Sequence, residues 1–168
     1  MPSTPITTQF AIPPGVIDLG VGHPSLDLLP VELLRRAADH RFARADPSFL
    51  QYGVEQGSPT LRARLAEFLG ASYVVALPFE EMLITNGISQ ALELVCAVFT
   101  RPGDTVLVEE PTYFLARKIF AAHGLHTVSV PMDEQGILPA AAEQAMRSHR
   151  PRLLYTIPTH QNPTGVTL

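Results

Sequence analysis

The chain has 168 residues, 46% of them hydrophobic and 17% charged, with a formal net charge of −4; this balance is ordinary for a globular domain with a real core. Its basic residues are scattered, which excludes the clustered Lys/Arg face that a nucleic-acid partner requires. Cys96 stands alone inside LELVCAVF, so no disulfide framework forms within the chain. The start, MPSTPITTQFAIPPG, is neither a positive leader nor a long apolar segment, and no stretch reaches the roughly 20 apolar residues of a membrane span. These features predict a soluble, cytoplasmic protein without a membrane partner.

Up to about Gly57 the sequence is irregular, interrupted by Pro13, Pro14, Pro24, Pro30 and Pro47, and only Val31 to Arg44 reads as a helix. This part is expected to be an arm that wraps something else. From Ser58 the pattern becomes regular. Ser58 caps a helix with Pro59 at its first position, LRARLAEFL places Leu61, Leu65, Phe68 and Leu69 on one face, and Gly70 closes it. Then follow MLIT as a strand, ISQALELVCAVF as a helix with Leu92, Val95 and Phe99 as core, and DTVLVEE as a strand. After these come TYFLARKIFAAH as a helix ended by Gly124, LHTVSV as a strand, PAAAEQAMRSH as a helix and RLLYTI as a strand. Strands alternating with helices predict βαβ units and a mainly parallel sheet. No internal repeat or low-complexity tract interrupts this order.

Ligands of open α/β sheets sit beyond the carboxyl ends of the strands, and three loops there carry unusual residues. In ITNGISQAL, Gly87 permits a tight turn and the amides of Ile88 and Ser89 open a helix, a ready anion site that is equally readable as a plain cap and turn. EEPTYFLA puts Tyr113 in the first turn of the next helix, where its ring can lie against a planar ligand or serve as core or rim. YTIPTHQNPTGVTL runs a strand into a polar loop that presents Asn162.

The three loops, with LGVGHPS, QYGVEQGSPTLRARLAEFL and RPGDTVLVEEPTYF in order before and between them, resemble the pyridoxal-phosphate-dependent aminotransferases of fold type I, class I/II. The resemblance covers nearly the whole chain. It implies an α/β fold: a three-layer, mainly parallel sheet of the large cofactor-binding domain, incomplete here. Residues 1–57 would be the N-terminal arm with part of the small domain, and 58–168 the first part of the large domain. It implies that the amides of Ile88 and Ser89 hold the phosphate of pyridoxal 5'-phosphate, that Tyr113 stacks on its ring, and that Asn162 donates to its phenolic oxygen. Pro163 and Gly165 would shape the loop presenting Asn162. Tyr52 would reach the phosphate of the neighbouring subunit in a homodimer, and Gly22 would lie beside the substrate carboxylate. A hydroxyl or small residue is frequent in the family where Ile88 stands, so only the backbone amide is available there.

The family's chemistry requires a lysine that forms a Schiff base with the cofactor. The single lysine, Lys118, lies on the helix after Tyr113 and precedes the Asn162 loop, whereas the family's lysine follows it. Lys118 is therefore rejected, and no catalytic residue is assigned within the chain. The aspartate for the pyridine nitrogen, the tyrosine beside it and the arginine for the substrate carboxylate also follow that loop in the family. The chain accordingly reads as the amino-terminal part of a longer enzyme, inactive alone.

Other chemistries fit less well. Glu109 and Glu110 are adjacent on a strand and point to opposite faces, which suits structural or loop-anchoring roles better than a glycosidase pair. The six histidines are dispersed; His123 and His126 flank a turn and read as surface residues without a metal shell. LGVGHPS is no dinucleotide fingerprint, and Ser89 has no nucleophile elbow around it. Two classes of function remain. One is a transaminase moving an amino group between an amino acid and a 2-oxo acid, with lyases and decarboxylases sharing the same loops. The other is a non-catalytic effector module such as the aminotransferase-like half of a transcription regulator.

Overall fold

A computed structural model describes Gly15, Ile17, Pro24 and residues 26–168; Gly22 lies outside the described residues. The chain divides into two units, Met1–Tyr52 and Gly53–Leu168.

In the first unit, helix α1 spans Val31–Phe42 between two short 3-10 turns, Leu26–Leu28 and Pro47–Leu50. Arg35 links one turn back to Glu32 and one turn on to Asp39, at 2.7 and 2.6 Å, the i,i+3 and i,i+4 spacings that meet on a helix surface. Asp46 caps the second 3-10 turn through the Ser48 amide, and the Arg41 guanidinium lies 4.3 Å from the centre of the Phe49 ring. No residue of this unit whose burial is described is buried, and Val31, Leu33, Leu34 and Leu50 are all exposed.

The second unit begins with α2, Pro59–Tyr73. As expected, Ser58 Oγ accepts from the Leu61 amide and Pro59 holds the first position. Gly70 does not close the helix. It stays helical, and the chain ends the helix at Val74, which takes the left-handed conformation at φ 53°. Gly70 instead leaves room for the returning chain, since a Cβ there would stand 3.0 Å from the Val75 carbonyl oxygen. The predicted apolar face is also not a buried one: Leu61 and Phe68 are exposed, and the buried residue of α2 is Arg62. Its Nη1 donates to the Phe79 carbonyl at 2.9 Å and its Nε to the Gly57 carbonyl at 3.2 Å, tethering the helix through its charged member.

MLIT is extended but not a strand. Among the described residues its backbone makes a ladder-like bond only from the Ile84 amide to the Gln56 carbonyl, 3.0 Å, and a strand exists through pairing. Helix α3, Gly87–Phe99, then leads to β1, Thr105–Glu110; α4, Phe114–Ala122; β2, His126–Asp133; the two-residue β3, Gly136–Ile137; α5, Pro139–His149; and β4, Leu153–Tyr155. The sheet order is β3-β2-β1-β4, parallel except for the antiparallel β2–β3 pair. The sequence offered no separate strand at Gly136–Ile137, and RLLYTI shortens to its three paired residues.

Alternation along β1 divides the unit into three layers. Val106 and Val108 join Cys96, Ala116, Phe120 and Leu125 beneath α3 and α4, with Tyr113 and Tyr155 packed at the margin. Leu107 faces the other way, onto Val130 and Ala142 of α5. Leu92 packs against the first cluster as expected, but Val95 and Phe99 are exposed, 36% and 54%. With Leu83, Leu94 and Val98 they line an apolar groove on the outer side of α3; the helix is apolar on more sides than this chain covers. Among the described residues no helix is long and apolar enough to cross a membrane.

Candidate functional site

The site lies at the carboxyl ends of β1 and β4. Helix α3 packs its Leu92 and Cys96 against Val106 and Val108 and is joined to β1 by a short turn. It therefore runs antiparallel to the strand and brings its first residues toward this same end. Gly87 adopts φ 73°, a conformation that costs any side chain strain, although a Cβ there would meet nothing within 4 Å; the backbone angle, not space, requires glycine. The Thr85 hydroxyl bonds the Gly87 carbonyl at 3.0 Å, and the Gln90 side chain accepts from the Asn86 amide at 2.6 Å. These bonds fix the turn from within. The amides of Ile88 and Ser89 belong to the first turn and have no intrahelical acceptor; among the described residues none outside the helix serves them either. The Ile88 side chain is 61% exposed.

The second loop passes through a cis Glu110–Pro111 bond to Tyr113. Tyr113 is the residue before α4, not one of its first turn, with extended backbone. Its ring is half-buried, edge-on to Phe114 at 5.4 Å between centroids, and packs on the margin of the core. The neighbouring Thr112 hydroxyl is buried and has no hydrogen-bond partner among the described residues.

The third loop follows β4. A cis Asn162–Pro163 bond and Gly165 at φ 77° close a tight turn, in which the Gly165 amide returns to the Gln161 carbonyl and the Gln161 amide donates to the Val166 carbonyl at 2.8 Å. The turn's polar requirements are met by Gln161 and Thr164. Gln161 Oε1 accepts from the Thr164 amide at 3.0 Å and from its hydroxyl at 2.7 Å. Asn162 is exposed, and among the described residues its carboxamide engages nothing.

Beneath these loops sits Glu109, wholly buried at the end of β1. Its carboxylate accepts from the Thr156 hydroxyl, from the Ile157 amide at 3.2 and 3.3 Å, and from Gln161 Nε2 at 3.0 Å. This is the loop-anchoring role expected from the sequence. Glu110, on the other face, takes the Ser129 hydroxyl and Arg117, which hold its carboxyl below the usual value. Burial, with the nearby Glu109 and Tyr113, pushes the Tyr155 phenol above its ordinary range. Sequence reasoning gave Gln161 no role of its own, although it lies in the loop after β4, is 1% exposed and bonds the buried Glu109.

The structure thus gathers the Ile88–Ser89 amides, Tyr113 and Asn162 on three neighbouring loop segments of one unit. Tyr52 belongs to the other unit and is fully exposed. Lys118 is exposed on α4, its Nζ 5.5 Å from the Phe114 ring centre. His123 caps α4 and bonds Glu93 of α3, a contact absent from the sequence reading; His126 is exposed.

Residues 14–168 match the family model described as aminotransferase class I and II. The chain is 34% identical over 158 residues to aromatic-amino-acid aminotransferase 1 of Thermococcus litoralis, covering 91% of this chain and 38% of that protein. It is 31% identical over 155 residues to an uncharacterized HTH-type transcriptional regulator, YisV, of Bacillus subtilis, covering 91% of this chain and 31% of that one. Among solved structures it resembles LysN, the alpha-aminoadipate aminotransferase of Thermus thermophilus, at 40% identity and a TM-score of 0.77. That alignment covers 88% of this chain and 36% of LysN, which was solved in complex with N-(5'-phosphopyridoxyl)-L-leucine. The chain spans between 31% and 38% of the length of these relatives.

Proposed function

The chain belongs to the class I and II aminotransferase family, and we propose that it supplies one side of a pyridoxal-phosphate site in an enzyme that moves an amino group between an amino acid and a 2-oxo acid. The observation that carries this reading is the division of labour in the third loop. Gln161 and Thr164 satisfy its internal hydrogen bonds, which leaves the exposed Asn162 carboxamide with no structural duty. The donor set around it fits the cofactor: two unclaimed amides at a helix amino terminus for a phosphate, a half-buried tyrosine ring for a planar heterocycle, and a carboxamide N–H for a ring oxygen.

In this reading the amides of Ile88 and Ser89 bind the phosphate, aided by the dipole of α3. Tyr113 covers one face of the ring, and Asn162 donates to its oxygen. Gly22 lies beside the substrate carboxylate, and Tyr52 reaches the phosphate of a partner subunit. Bound pyridoxal phosphate supplies an electron sink for charge developing on the substrate. The residue that moves the proton is none of these: Lys118 is exposed on α4, its Nζ 5.5 Å from the Phe114 ring centre, so this reading requires a lysine other than the one in this chain. The buried, unpaired Cys96 suits a reducing cytoplasm.

The likeness to an HTH-type regulator favours one second reading, a domain that binds the cofactor or an amino acid without turning it over. The test is to load the intact protein with pyridoxal phosphate and supply aromatic amino acids and 2-aminoadipate without a 2-oxo acid. One equivalent of 2-oxo product per site, resuming only when a 2-oxo acid is added, is the expected result. Continuous release of ammonia or carbon dioxide would make the protein a lyase or decarboxylase, and binding without product a regulator module.

A further inference from the structure

Gln161 is one of the few buried polar side chains among the described residues of the unit. It is 1% exposed, and its carboxamide is used at both ends. Nε2 donates to Glu109 Oε2 at 3.0 Å and to the Pro111 carbonyl at 2.8 Å, while Oε1 accepts twice from Thr164. These four bonds fill the donor and acceptor capacity that the group has. Its partners belong to different segments. Glu109 and Pro111 lie at the end of β1 and in the turn that leads to Tyr113; Thr164 lies in the turn that presents Asn162. Glu109 meanwhile grips the Ile157 amide and the Thr156 hydroxyl just after β4. One buried side chain therefore ties the loop carrying Tyr113 to the loop carrying Asn162.

We propose that Gln161 is a positioning residue, which together with Glu109 locks Tyr113 and Asn162 into a common register before any cofactor arrives. This rests on the cofactor reading given above. A residue shortened or stripped of its donors leaves the Pro111 carbonyl without this partner and removes one of the bonds to the buried Glu109, which keeps only those from Thr156 and Ile157, and the loops are then free to shift relative to one another. Because the lock is made of this chain's own groups, it operates in the cofactor-free protein.

The test uses the intact protein with Gln161→Met, which keeps the length of the side chain and removes both polar ends. If that variant does not fold, Gln161→Asn, one methylene shorter with both ends retained, takes its place in every measurement. In the cofactor-free protein, amide hydrogen exchange should quicken together in the 111–114 and 156–165 segments; quickening confined to 160–165 would overturn the proposed link. In the loaded protein, pyridoxal-phosphate affinity should fall about tenfold or more, and Asn162→Ala should cost less in the variant than in the wild type, because Asn162 is already displaced. A loss for Asn162→Ala with none for the Gln161 variant would overturn the positioning role alone. No loss for Asn162→Ala in the wild type would overturn the cofactor reading and the positioning role with it.

Discussion

Glu109 and Gln161 meet in the interior, 0% and 1% exposed, with the carboxamide nitrogen 3.0 Å from the carboxylate. Fifty-two residues apart in the chain, they become neighbours because β4 pairs in parallel with β1 and leaves its following loop over the end of that strand. Burying a carboxylate is tolerated only when hydrogen bonds replace its water, and here a hydroxyl, a backbone amide and a carboxamide do so. Glu109→Ala strands these donors. The expected cost is about 3 kcal/mol or more, at 1–3 kcal/mol for each buried group left unpaired, read as a lower midpoint in thermal unfolding of the intact protein. Glu109→Gln, which keeps the volume and one acceptor oxygen, should lose less but still measurably, and no loss at all for Glu109→Gln would show that volume, not pairing, is what Glu109 contributes.

A second expectation concerns pH. The Ser129 hydroxyl, and after it Arg117, hold the Glu110 carboxyl below its ordinary value of 4.5. A folded pKa below the unfolded one means that the contribution to stability is complete above the unfolded value and is lost as pH falls through the folded one. Glu110 is half exposed, so the effect is screened and small. Ser129→Ala should lower the unfolding midpoint slightly at neutral pH, and the difference should close in acid below the carboxylate range. A gap that persists unchanged in strong acid would assign the effect to packing.

The chain as it stands should form no specific covalent adduct with pyridoxal phosphate. Lys118 is its only lysine; it is exposed on α4 with its Nζ above the Phe114 ring, outside the loops proposed to hold the cofactor. Borohydride reduction of the chain mixed with the cofactor, followed by peptide mass analysis, should show no stoichiometric modification at Lys118. A stoichiometric adduct there would restore it as the Schiff-base residue.

Tyr52 provides the test of subunit sharing. Its side chain is fully exposed in the first unit, and the cofactor reading has it serve a partner's phosphate. Two inactive forms of the intact protein, one with Tyr52→Phe and one without its Schiff-base lysine, should recover one near-normal site per hybrid dimer after subunit exchange. Absence of recovery, with exchange verified, would place Tyr52 in its own subunit's site.

The sequence made the order of elements legible because each helix carried its own local signals. Ser58–Pro59 set one start, Pro139 another, and the apolar run of β1 could only be an interior strand. It misled where structure depends on a neighbour. MLIT has the composition of a strand but no pairing partner among the described residues, and Val95 and Phe99 have the periodicity of core but are only partly covered. Gly70 looked like a helix end since glycine usually marks one, yet its work is to admit the Val75 carbonyl. The residues proposed for the site, Ile88 and Ser89 at the start of α3, Tyr113 after β1 and Asn162 after β4, could be singled out from the sequence. Gln161 could not, because its importance lies in contacts with Glu109 and Pro111, which no local pattern reveals.

The most direct test of the site is a pH titration of the visible absorbance of the intact, pyridoxal-phosphate-loaded protein, wild type against Asn162→Ala. A donor on the ring oxygen draws electron density from it, so that oxygen holds less firmly the proton it shares with the adjoining nitrogen, and the proton leaves at lower pH. Removing the donor should raise the midpoint by roughly one pH unit or more, since such bonds are worth about 1.5–3 kcal/mol and about 1.4 kcal/mol corresponds to one unit. An unchanged midpoint, in a variant that is folded and carries its full complement of cofactor, would contradict the placement of Asn162 against the ring.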